Sequence, residues 1–166
     1  LEIVRDKMCD PQGYLQLYFT KDWKHLSYRD SSESVRRRNY YFDHVSFGHD
    51  VETAYLMLET SEALYGEYDS TTLRIAKKLV DHALENGWDK EYGGLFDGGY
   101  YPKGKSKIEI VKNTKEWWSQ LEALNSFLLF ANLFPNDEHH YFDKFIAQWE
   151  YCKKYLIDNK YGGFYW

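Results

Sequence analysis

A chain of 166 residues, 43% of them hydrophobic, is long enough to bury a core and too apolar to be a disordered segment. Its net charge of -5, without a basic block, argues against nucleic acid as the main partner. No apolar run reaches the length of a membrane span and no signal-peptide pattern opens the chain, so no membrane partner is expected.

Taken in order, residues 1–8 read as a helix end, and Asp10-Pro11-Gln12-Gly13 as a turn punctuated by Pro and Gly. Tyr14 to Phe19 alternates like a short strand. Ser27 to Asn39 is expected to be an exposed loop, whose run Arg36, Arg37 and Arg38 either is solvated or meets an anionic ligand. A first long helix is predicted over Ser46 to Tyr65, with Ser46 as its cap. A second is predicted from the N-cap Asp69 to Glu85, stopped by Asn86-Gly87, with Leu73, Ala76, Leu79, Val80, Ala83 and Leu84 on its apolar face. Trp88 to Asp97 is a Gly-rich aromatic turn, and Pro102 to Lys107 is loop. A third helix is expected from Asn113-Thr114 to Phe134 and a fourth from Asn136-Asp137 to Ile157.

The closing segment Asp158 to Trp166 repeats the earlier turn. YGGLF at 92–96 and YGGFY at 161–165 lie 69 residues apart, and DPQGYLQLYF at 10–19 reads as a degenerate third copy. Helix, helix, turn at fixed spacing predicts stacked or ring-closed helix pairs. The expected class is all-α, an α/α toroid with the turns and the inner-helix starts around a central pocket.

Within that frame, His49 and Glu52 share a face near a helix N-terminus. They form either an acid–base unit, with the carboxylate orienting the imidazole, or a locally bonded pair in a capped helix. Val51, Tyr55 and Leu58 fall on a packed stripe. In the third helix Trp118 and Glu122 share one face, and Trp117, Leu121, Leu124 and Leu128 share another. Two carboxylates, a His and a Trp then converge on one pocket, or both tryptophans pack between helices. The 19% aromatic content, with 16 Tyr and 6 Trp, suits sugar stacking and core packing alike. His44, near the His49 motif, either reaches the pocket or belongs to a loop, His82 reads as structural, and His139 and His140 lack metal spacing, so no metal is expected. Cys9 and Cys152, far apart, read as reduced thiols of a cytoplasmic protein.

SFGHDVE at 46–52, NTKEWWSQLEAL at 113–124 and YGGFYW at 161–166 resemble the N-acylglucosamine 2-epimerase superfamily. The Gly-His-Asp-x-Glu and Trp-Trp-x-Gln-x-Glu forms, with CDPQGYLQLYFTKDW at 9–23, are most similar to its cellobiose 2-epimerases. The resemblance implies an (α/α)6 barrel and a cofactor-free enzyme. Such an enzyme opens the reducing-end sugar, removes the C2 proton and returns it to the opposite face. It implies His49 as one of two catalytic histidines and Glu52 as the carboxylate that positions it or holds the sugar. Trp118 is implied as the sugar-stacking tryptophan, with Trp117 as second choice, and Glu122 as a ligand-orienting carboxylate.

The family's other catalytic His follows the aromatic turn at which this chain ends, and an Arg and a further His belong to the first half of the barrel. The chain opens without Met, and residues 1–166 are expected to be one fragment of the barrel, lacking its N-terminal half and extreme C-terminus. Alone it is expected to be inactive and to self-associate through exposed apolar surface. Phe47 stands where many members have Tyr, and the loop from Tyr28 to Val45 is longer than usual. Three other readings compete: an aldose–ketose isomerase or N-acylglucosamine 2-epimerase of the same superfamily; a glycoside hydrolase using Asp50 and Glu52, whose helical spacing points them apart; and a non-catalytic sugar-binding domain.

Overall fold

The computed structural model describes residues 1–165; Trp166, the last residue of the closing aromatic cluster, lies outside them. Two helix hairpins carry the architecture. Helix α2 (Phe47–Tyr65) pairs with α3 (Ser70–Gly87), and α4 (Trp117–Leu133) pairs with α5 (Tyr141–Tyr155). α2 also packs along α4, so these two are the inner helices and α3 and α5 lie outside them. The expected all-α partial toroid is what forms. Among the described residues, no helix is long and apolar enough to cross a membrane.

The core is where these faces meet. Val51, Ala54 and Leu58 of α2 are fully buried, as are Ala76, Leu79, Val80 and Ala83 of α3 and Ala123, Phe127 and Phe130 of α4. The α3 stripe is thus the one its sequence period indicates. α4 differs. Its expected packed stripe, Trp117, Leu121, Leu124 and Leu128, is half-buried to exposed, and Ala123, Phe127 and Phe130 are buried instead. α4 is apolar nearly all round, so period alone does not choose its inner face.

The three turns share one construction. Asp10, Asp89 and Asp158 each accept backbone N–H groups within their own turn, from Gln12 (2.9 Å), Glu91 (2.9 Å) and Lys160 (2.8 Å). Each turn closes in an isolated bridge, Cys9 with Leu15, Trp88 with Leu95 and Ile157 with Phe164. Gly93-Gly94 and Gly162-Gly163 all have φ near +80°, a backbone barred to most side chains. The first turn reaches the same closure with a single left-handed glycine, Gly13.

A buried polar side chain from the next inner helix fastens each of the first two turns. Leu15 N–H donates to Asp50 Oδ1 at 2.8 Å. Leu95 N–H donates to Gln120 Oε1 at 2.9 Å, and Gln120 Nε2 donates back to the Leu95 carbonyl at 2.9 Å. Asp50 and Gln120 are therefore equivalent, as are the helix starts Phe47 and Trp117. This spacing is one residue longer than that between the last two turns.

Asp50 is fully buried and its second oxygen has no partner among the described residues. Burial holds its carboxyl well above the usual carboxylate range, with the Leu15 hydrogen bond opposing the rise. A folded-state value above the unfolded one means that the stabilisation is complete below the unfolded carboxylate value and is lost as pH rises through the folded one. Asp50→Asn keeps the acceptor and removes the proton. Across pH 4 to 8, the unfolding free energy of the full-length gene product is expected to fall with pH more steeply than that of the variant. The excess slope reaches up to about 1.4 kcal/mol per pH unit. Parallel pH curves by calorimetry would exclude an ionising Asp50.

Two helix starts and the polar segments depart from expectation. Asp69 caps α3 as predicted, accepting from Thr72 N–H at 2.9 Å. α4 begins at Trp117 rather than at Asn113, because Asp97 takes the Thr114 hydroxyl (2.5 Å) and Glu116 N–H (2.8 Å) and holds that stretch extended. α5 begins at Tyr141 because His140 has φ of 50°, so Asn136-Asp137 opens a turn. Glu33–Asn39, expected as loop, is a short helix α1, and Val4–Met8 is a single helical turn. Tyr14 to Phe19 makes isolated bridges rather than a strand.

An antiparallel sheet of order β1-β2-β3 lies at the start of α2, formed by His44–Ser46, Gly98–Tyr100 and Glu109–Lys112. Pro102 to Lys107 is the loop between β2 and β3, as expected.

Candidate functional site

β1 runs without a loop into α2, and this junction presents His49. Ser46 precedes the helix, yet its hydroxyl caps no backbone N–H. It lies 2.6 Å from His49 Nδ1 instead. Ser46, 5% exposed, holds Nδ1 of an exposed imidazole whose Nε2 has no hydrogen bond among the described residues. With the proton on Nδ1 and donated to Ser46, Nε2 carries the free lone pair of a base. The orienting partner is thus Ser46, whereas the sequence suggested Glu52.

Close approach of α4 brings the tryptophan. A Cβ on Gly48 would stand 2.5 Å from Ser119 Oγ and 2.9 Å from the Trp118 ring, so only glycine permits this crossing. The Trp118 ring centroid lies 4.9 Å from that of His49, tilted by 60°. Its Nε1 donates to Glu116 Oε2 at 2.7 Å, which holds the indole edge. Trp117 turns elsewhere and stacks on Phe164 of the third turn, with centroids 5.6 Å apart and planes 8° from parallel. Of the two tryptophans, the structure brings Trp118 to His49.

Below this pair lie the carboxylates. Glu52 and Glu122 are half-buried. Burial raises the Glu52 carboxyl, the Glu122 charge adds to the rise and His49 opposes it. Tyr55 donates to Glu122 Oε2 at 2.6 Å; burial and then this bond push its hydroxyl up to about 12. Tyr55 was expected only as packing. Its spacing from Glu52, one helical turn on, was the signal that places it on the functional face. His49, Glu52 and Tyr55 of α2 therefore face Trp118 and Glu122 of α4, a set that offers a flat aromatic face, two carboxylate acceptors and an imidazole able to carry a proton.

Other candidates stand apart. Asp50, buried against Leu15, does not share a cleft with Glu52, so these two do not form an acid pair of the glycosidase kind. Phe47 is fully buried, with Gly87 against its ring. His82 is buried with Nε2 2.6 Å from the Tyr101 hydroxyl, and burial lowers it to about 4. His44 is likewise lowered to about 4, by burial and then by the Lys112 and His49 charges.

Asp81, Asp137 and His139 converge with donor atoms within 4.8 Å of one another, which sequence spacing did not indicate. Lys77 Nζ already lies 2.8 Å from Asp81 and 2.9 Å from Asp137, so this cluster is an ion-pair network tying α3 to the α4–α5 turn. Cys9 and Cys152 are free; burial pushes them up to about 12 and about 11, values of inert thiols.

A family model described as N-acylglucosamine 2-epimerase (GlcNAc 2-epimerase) matches residues 2–166. A cellobiose 2-epimerase from Dictyoglomus turgidum is 29% identical over 140 residues, covering 79% of this chain and 31% of that protein. Another, from Bacteroides fragilis, is 25% identical over 171 residues, covering 99% and 36%. The solved cellobiose 2-epimerase from Bacillus thermoamylovorans B4167 shares the fold, with a TM-score of 0.75 and 23% identity over 99% of this chain and 36% of that one. The chain spans about a third of the length of these relatives. With the match running through both hairpins and all three turns, the chain belongs to the N-acylglucosamine 2-epimerase family.

Proposed function

We propose that this chain supplies part of the active site of a sugar 2-epimerase, one that converts the reducing-end glucose of a β-1,4-linked disaccharide such as cellobiose to mannose. The observation that carries the reading is His49, its Nδ1 held by Ser46 and its ring beside Trp118. Trp118 stacks on the reducing-end ring, and Glu52 and Glu122 accept from its hydroxyls. In the open-chain aldose the C2–H is acidified by the C1 carbonyl. His49 Nε2 takes that proton, and the C–H electron pair moves into a C1–C2 enediolate. Reprotonation at C2 from the opposite face, with collapse of the enediolate to the aldehyde, gives the mannose configuration. A group on that other face delivers the proton; the family resemblance assigns that role to a second His.

The test is incubation of the full-length gene product with cellobiose in deuterated water, followed at C2 by NMR. Deuterium at C2 with a glucosyl-mannose product is expected. A ketose product would reassign the protein as an isomerase, because the same enediolate protonates at C1. Intact, unexchanged cellobiose would sink the disaccharide reading. The 166-residue chain alone is expected to form no epimer, since one imidazole serves one face.

A further inference from the structure

A second recess lies at the same end of α2 as His49, between α1 and the β2–β3 hairpin. It is a groove of about 660 Å³, within the range of roughly 300–1,000 Å³ usual for small-ligand sites. Its walls are Arg36, Arg37 and Tyr40 on one side and Tyr100, Glu109 and Val111 on the other. It shares no lining residue with the His49–Trp118 cleft, although β1, which leads into α2, pairs His44 with Tyr100.

The charges in this groove are unevenly satisfied. Arg37 is neutralised within α1, its Nη2 2.7 Å and its Nε 3.0 Å from Glu33 Oε1. Arg36 is half-buried, and its Nε has lost solvent without gaining a partner among the described residues. A guanidinium offers a planar fork of donors that matches a carboxylate or a phosphate. Glu109 lies across from it as an acceptor suited to hydroxyls. Tyr40 and Tyr100 are half-buried rings with the apolar faces and polar tips that suit a sugar ring.

We propose that this groove binds an anionic sugar, a ring carrying a carboxylate or a phosphate, with Arg36 as the anion contact. The site is independent of the epimerase reading, because nothing in it requires His49 to act.

The experiment is calorimetric titration of the full-length gene product with D-glucuronate, glucose 6-phosphate, glucose and inorganic phosphate. At least one sugar anion is expected to bind 10-fold or more tightly than glucose; which of the two does so identifies the anion. Arg36→Ala is expected to remove that advantage. Arg36→Lys, which keeps the charge without the fork, is expected to restore part of it and guards against a folding defect. The proposal fails if glucose binds as tightly as both anions, if neither anion binds, or if both Arg36 variants bind like the parent. It also fails if inorganic phosphate competes as strongly as glucose 6-phosphate, since the groove would then be a plain ion site.

Discussion

Replacing His49 with Asn is expected to lower the rate of epimer formation from cellobiose by about 10³-fold, within the 10²–10⁴ range of a lost acid–base group. Asn reproduces the imidazole's bulk near Ser46 but cannot take a carbon-bound proton at neutral pH. Trp118, Glu52 and Glu122 stay in place, so KM is expected to change by only a few-fold. The loss then falls on kcat, the mark of an interaction made in the transition state. Turnover within tenfold of the parent, in a variant with unchanged unfolding temperature, would remove His49 from the chemistry. A loss confined to KM would make the imidazole a binding group and favour a sugar-binding reading of the cleft.

The largest stability effect is expected at Gln120 rather than at an apolar core residue. Gln120 accepts from Leu95 N–H and donates to the Leu95 carbonyl. Its Oε1 also accepts from Gln148 Nε2 at 3.0 Å, and all of these groups are buried. Gln120→Ala leaves two backbone groups of Leu95 unpaired out of reach of solvent. Each such group costs about 1–3 kcal/mol, and the vacated volume adds to that. A loss of about 3–5 kcal/mol in unfolding free energy is expected, read by urea denaturation. Gln120→Leu fills the volume and isolates the hydrogen-bond part. A loss below about 1 kcal/mol in both variants would mean that the turn at 88–97 stands without this side chain, held by Lys115, whose Nζ lies 2.6 Å from both Asp89 and the Gly93 carbonyl.

How far the sequence carried the reading can be judged residue by residue. The repeat was legible because Asp-x-x-Tyr-Gly-Gly recurs intact at 89–94 and 158–163, with left-handed backbone at each glycine pair. The α3 stripe was legible because its polar and apolar residues separate cleanly around the helix. Sheet β1-β2-β3 was not: its strands are three or four residues long, and Gly98-Gly99-Tyr100 carries little strand preference. α1 hid in a charged run whose helix is only seven residues long. At the site, spacing placed Trp118 and Glu122 on one face, but the choice between Trp117 and Trp118 depended on how α4 crosses α2 at Gly48. Ser46 looked like a cap and serves the imidazole instead, since a Ser hydroxyl three residues before a His reaches either partner.

The two fastened turns also differ in a way that ties side-chain length to chain length. Gln120 reaches a turn with two left-handed glycines and both donates and accepts. Asp50, one methylene shorter, reaches a turn with one such glycine and only accepts. The shorter arm matches the shorter arc. A glycine inserted beside Gly13 would carry Leu15 away from Asp50, and a glutamine at position 50 would overrun the present turn. Substitution and insertion at these two places are therefore not separate events. Either alone breaks a buried hydrogen bond, and the two compensate only when made together.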